Sequence, residues 1–207
     1  MKRLILALAP LAMTLACGGG SGSPTPAGPS PVPTASTPTP AASWRGTMTA
    51  VRRTLVSPLD TTQSFEGTVT FEPGDILNTY DPPDLLFPLI PANAVTYVLQ
   101  PGLLKLTHTG NVGPCSYGTG TWDVLMKKSD GYLFVGPNGS VGGPVTLPDT
   151  AFPVTVTCPT GTAQSETGVQ MDLFISGPVI GTRISGTMTP LTVAGTTFSG
   201  SWNFEAR

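Results

Sequence analysis

The sequence is poor in the residues that most often carry chemistry. It holds one histidine, His108, and three cysteines, and charged residues make up only 11% of its 207 positions. A single histidine excludes a multi-histidine metal site. No Gly-x-Ser-x-Gly elbow accompanies it, so a hydrolase triad has no motif to stand on. There is no Cys-x-x-Cys spacing, which argues against a redox-active pair. Charge of one sign is missing too: Lys+Arg number 10 and Asp+Glu 12, for a net charge of -2. Nucleic acid asks for a basic face, so none is expected as a partner. The small clusters Arg52-Arg53 and Lys127-Lys128 read instead as strand-end or edge charges that discourage aggregation. No stretch carries the 3.6-residue apolar period of a helix.

A long hydrophobic run is also absent. The apolar stretch Leu4–Ala16 covers about 13 residues, short of the roughly 20 that span a bilayer. With Met1-Lys2-Arg3 before it and the small Ala16 at its end, it reads as a signal peptide. Thr14-Leu15-Ala16-Cys17 resembles the lipobox of bacterial lipoproteins, with Thr14 where leucine is commonest in that family. The resemblance implies cleavage before Cys17, diacylation of its thiol and acylation of the new N-terminus. Two or three chains anchor stably, since each buried methylene contributes about 0.8 kcal/mol. Gly18 follows where an aspartate would favour retention at the inner membrane, so the resemblance implies the outer membrane, facing the periplasm or the cell surface.

From Gly18 to Ser43 the chain has no charge and no aromatic, and proline recurs at 24, 26, 29, 31, 33, 38 and 40. Such a segment cannot bury enough surface to offset its ordering entropy. It is expected to be an extended stalk. The organisation is therefore signal peptide 1–16, lipidated Cys17 with linker 17–43, and a single domain 44–207.

That domain alternates with period two. In Phe65-Glu66-Gly67-Thr68-Val69-Thr70-Phe71 one face is apolar and the other polar. The pattern returns around Gly46, Gly186 and Gly200, and an inward glycine marks a bend or a close backbone approach. Strands are predicted near 44–55, 64–73, 94–100, 103–109, 115–128, 131–136, 153–158, 166–177, 182–193 and 196–206. Pro101-Gly102, Asp130-Gly131 and Ala194-Gly195 read as hairpin turns. Long loops are expected at 74–93 and 137–152. The fold class is all-β: a mostly antiparallel meander of about 10 strands, forming a β-barrel or a strongly curved β-sandwich.

With Cys17 acylated, Cys115 and Cys158 remain as a pair in an exported protein, and a disulfide between them is expected. His108 shares a face with Leu104 and Leu106 and reads as a packed, hydrogen-bonded structural residue. The stretch Glu72–Asp84 could offer oxygen ligands to calcium but lacks a recognisable loop spacing, and reads as a solvated turn. No pair of carboxylates is selected for glycoside hydrolysis. Asn138-Gly139-Ser140 reads as a turn. Trp44, Trp122 and Trp202 fall on inward faces, either as core or, in a barrel open at one end, as the lining of an apolar pocket. The Gly120-Thr121-Trp122 and Gly200-Ser201-Trp202 runs are similar to single strands of avidin-like and lipocalin-like barrels.

Together these features predict a membrane-anchored, monomeric, non-enzymatic domain of the bacterial envelope, with no metal and no cofactor. Its partner is expected to be an envelope protein docking on the loops at 74–93 and 137–152. The alternative is a small apolar ligand held in the barrel.

Overall fold

The structure, a computed structural model, describes residues 40–76 and 90–207, without the side chains of 148, 149, 169 and 170. Cys17, the signal peptide and nearly all of the linker lie outside the described residues. So do Asn78, Asp81 and Asp84 of the acidic stretch.

Among the described residues, ten strands form one antiparallel sheet: β1 (Trp44–Val56), β2 (Leu59–Pro73), β3 (Val95–Leu99), β4 (Gly102–Val112), β5 (Cys115–Met126), β6 (Tyr132–Val135), β7 (Ser140–Cys158), β8 (Gly161–Ile180), β9 (Arg183–Val193) and β10 (Thr196–Ala206). Their pairing closes a ring of eight strand lines, because β10 returns to pair with β1 from Trp44↔Ala206 to Thr54↔Thr196. The all-β barrel-like expectation holds. Alternation in the sequence becomes inside and outside: in β1, Trp44, Met48 and Ala50 are buried while Arg45, Thr47 and Thr49 are exposed.

Ten strands make eight lines because two lines are interrupted. Both β3 and β4 pair with β2, through Phe71↔Leu99 and Phe65↔Leu106. The register slips by one residue at Gln100-Pro101, so β3 and β4 run in the same direction as one bulged line. Pro101-Gly102 is therefore not a hairpin turn. Proline lacks the N–H that would continue the ladder, so it breaks the line without reversing it. Asp130-Gly131 is not a hairpin either. The chain makes one 3-10 turn at Lys128–Asp130, held by the Lys127 N–H donating to the Asp130 carboxylate at 2.7 Å, and continues as β6 between β3 and β7. Ala194-Gly195 is the reversal expected. Its φ angles of 48° and 77° place both residues in the left-handed region that a two-residue hairpin favours.

The long loop expected at 137–152 is a second correction. A tight turn at Gly136–Gly139 leads straight into β7, which begins at Ser140. At that turn the Asn138 side-chain oxygen accepts from the Ser140 N–H at 3.0 Å. The prolines at 144 and 148 read as loop, yet β7 pairs with β8 across this stretch, apart from a register shift between Leu147 and Thr150. On its other side, among the described residues, β7 makes no ladder pairing to β5 or β6 between the bridge Gly131↔Val145 and the rung Tyr117↔Val156. Proline is tolerated at 148 and 153, within this stretch, because no ladder donor to that side is missed there.

Inward glycines sit where neighbours press in. A methyl at Gly67 would lie 2.6 Å from the Leu104 side chain, and one at Gly186 would lie 2.7 Å from the Trp202 ring. The core they help to fill includes Phe65, Phe71, Leu104, Leu106, Trp202 and Phe204, all at most 3% exposed.

Candidate functional site

The barrel interior is layered. Cross-strand register puts Ala50, Phe65, Leu106 and Trp122 side by side on β1, β2, β4 and β5. This apolar layer, with those beneath it, separates two cavities at opposite ends.

The lower cavity, about 360 Å³, opens beside the two ends of the domain, where Ser43 and Arg207 exchange backbone hydrogen bonds. Its walls include Trp44, Val95, Tyr97, Val135, Val179 and Ala206. Trp44 and Tyr97 meet edge to face, with ring centroids 6.4 Å apart. The Tyr97 hydroxyl donates to the Ala41 carbonyl at 3.2 Å, and burial pushes its pKa above the usual tyrosine value.

The upper cavity, about 190 Å³, lies at the end carrying the β1–β2 and β4–β5 turns. One layer above Ala50 and Phe65, the register brings together Phe198, Arg52, Gln63 and His108 on four adjacent strands. Above them Thr54 and Thr61 face each other, and Tyr117 enters from β5. His108 is 2% exposed and packs edge to face on Tyr117, at 4.9 Å between centroids. Burial holds its pKa below the usual 6.5, so the imidazole is neutral at pH 7.

Here the expectation for His108 needs correcting. It is packed, but neither Nδ1 nor Nε2 has a hydrogen-bond partner, and Arg52 Nε is buried without one as well. Arg52 is also not an edge charge. It turns inward with its guanidinium 6.0 Å from the Phe198 ring centre, while Arg53 points out and pairs with Asp60 at 3.5 Å.

The three tryptophans are not brought together. Trp44 lines the lower cavity and Trp202 is core. Trp122 is partly buried; it fills the space over Gly120 and packs on Phe152, with ring centroids 5.4 Å apart. Cys115 and Cys158 are joined as expected, with Cα atoms 4.2 Å apart. No group of three or more His, Cys, Asp or Glu that could hold a metal occurs among the described residues. Comparison of the chain with family models, curated proteins and solved structures finds no match. Sequence reading missed the upper cavity. The signal was present, since Arg52, Gln63 and His108 each break the apolar phase of their own strand, but their side-by-side register was not readable.

Proposed function

We propose that the chain is a lipid-anchored protein of the bacterial envelope whose barrel binds rather than catalyses. The anchor rests on the lipobox-like Thr14–Cys17 run. The non-enzymatic reading is supported by His108: a general base needs an orienting partner on one nitrogen and a nucleophile on the other, and this imidazole has neither. Between an envelope protein on the loops and a small apolar ligand inside, one observation favours the ligand. It is the apolar cavity of about 360 Å³ beneath Trp44 and Tyr97, within the size range of small-molecule sites. The loop docking surface loses half its support, because 140–152 is strand and not loop.

The test is to purify the full chain from membranes and measure binding of an apolar fluorescent probe, followed by the quenching of tryptophan emission. Saturable binding that weakens on Trp44→Ala, in a protein with unchanged melting, supports the ligand reading. Binding lost on deletion of 77–89 but kept in Trp44→Ala returns the function to the loop.

A further inference from the structure

We propose that the upper end of the barrel is a second binding site, for a small monocarboxylate, with Arg52 as its counter-charge and His108 as a hydrogen-bond partner. This site lies across the apolar core from the Trp44 cavity and does not depend on it. Three observations carry the inference. First, the layer is built. Arg52, Gln63 and His108 are cross-strand neighbours on β1, β2 and β4, so a rigid sheet fixes their spacing. Second, it is unsatisfied. His108 is 2% exposed with both nitrogens unpartnered, and Arg52 Nε is also orphaned, although leaving a buried polar atom unpaired is destabilising. Third, there is room. The cavity of about 190 Å³ equals roughly six waters at their liquid volume of ≈ 30 Å³ each.

The lining specifies the charge of the occupant. Arg52 is the one charged side chain among the described lining residues. Besides Leu59 and Gly168, the others offer an amide (Gln63), hydroxyls (Thr54, Thr61, Tyr117, Thr167) and the imidazole of His108. The Gln63 amide is already held, donating to Thr167 on β8 at 3.3 Å. Donors therefore converge around one positive charge. A monoanion balances it, whereas a dianion would leave a charge buried and unpaired. A carboxylate also matches the planar fork of a guanidinium, which donates two parallel hydrogen bonds to its two oxygens. Phe198 lies beside Arg52 in the same layer, and Leu106 lies one layer below, beside Phe65.

His108 reports on the site, being the sole histidine of the chain. An anion beside it favours the imidazolium, so binding raises its pKa. The groups that face it are Arg52 from β1, Gln63 from β2, Tyr117 from β5 and Thr167 from β8. Glu166, the neighbouring carboxylate on β8, is exposed.

The experiment is a histidine-labelled NMR titration of the full chain with benzoate, with benzamide, phosphate and sulfate as separate arms. The expected result is a saturable shift of the His108 ring signals with benzoate, no shift with the neutral benzamide, and weak or no binding of the dianions. The His108 pKa should rise at saturation, and Arg52→Gln should weaken benzoate by about tenfold or more. No saturable shift with benzoate overturns the proposal, as does an equal response to benzamide. A response to phosphate or sulfate alone overturns the choice of a carboxylate. These arms use the unmodified protein, so a misfolded variant would not blunt the test.

Discussion

His108 shows how one buried polar residue sets a pH response. Its folded pKa lies below 6.5 because burial disfavours the charged form. The unfolded chain therefore binds a proton more readily than the folded one. Above about pH 6.5 this costs nothing. As pH falls from there to the lower folded value, stability is lost, and below the folded value the loss stops growing. Melting curves of the wild type and His108→Gln, recorded from about pH 7.5 to 5, should show the wild type declining more steeply. Parallel curves would contradict the burial assignment. Gly186 makes a second residue-scale prediction. Because a methyl there would stand 2.7 Å from the Trp202 ring, Gly186→Ala should cost about 1–3 kcal/mol, read by denaturant unfolding. These two positions differ in legibility. Gly186 announced itself in the strand pattern by occupying an inward slot. His108 announced its burial but not its missing partners, because hydrogen bonding depends on which strands stand beside β4.

Among the elements, β7 and β8 form the longest hairpin, and it is attached sparingly. Pairing of β7 to β5 is confined to Ser116↔Thr157 and Tyr117↔Val156, and β8 pairs with β9 at Val179↔Ile184 and Ile180↔Arg183. The Cys115–Cys158 disulfide stands next to the first of these seams, so it ties the hairpin tip to the barrel. Its loop spans 43 residues in sequence, for which chain entropy gives about 4 kcal/mol of stabilisation. Cys115→Ser should lower stability by that order. Amide exchange should quicken first in 150–168 and 115–120, and later in β1 and β10. Uniform acceleration throughout the barrel would contradict this local role. The pairing of the cysteines was legible from the expected export and from arithmetic. The extent of β7 was not. Proline marks a break in a central strand but is harmless on an unpaired edge, and the sequence does not say which edge will be left unpaired.

For the whole molecule, alternation established an all-β meander, and its closure is a matter of the first and last strands. The Gly-x-Trp202 run on β10 and the Gly46 run on β1 fall opposite each other, through Met48↔Trp202 and Gly46↔Phe204. Their shared pattern was visible in the sequence, while their adjacency required the ring to close. Hairpin signals failed where a line was interrupted instead of reversed, because local turn chemistry does not report the direction in which the next strand departs. The candidate sites were half legible: Trp44 was named as a possible lining residue, while the Arg52–Gln63–His108 layer emerges from register alone. The proposed tether is tested at the same scale. Cys17→Ser should abolish incorporation of a fatty-acid analogue and release the chain from membranes; unchanged labelling of the variant would exclude acylation at Cys17.

The central claim, a lipid-anchored barrel that binds a small molecule, is tested most directly by mass spectrometry of the full chain taken from membranes, first under native and then under denaturing conditions. The denatured mass should correspond to a chain beginning at an acylated Cys17, and the native mass should exceed it by that of a small apolar ligand shed on denaturation. A chain with unmodified Cys17, or native and denatured masses that coincide, would contradict it.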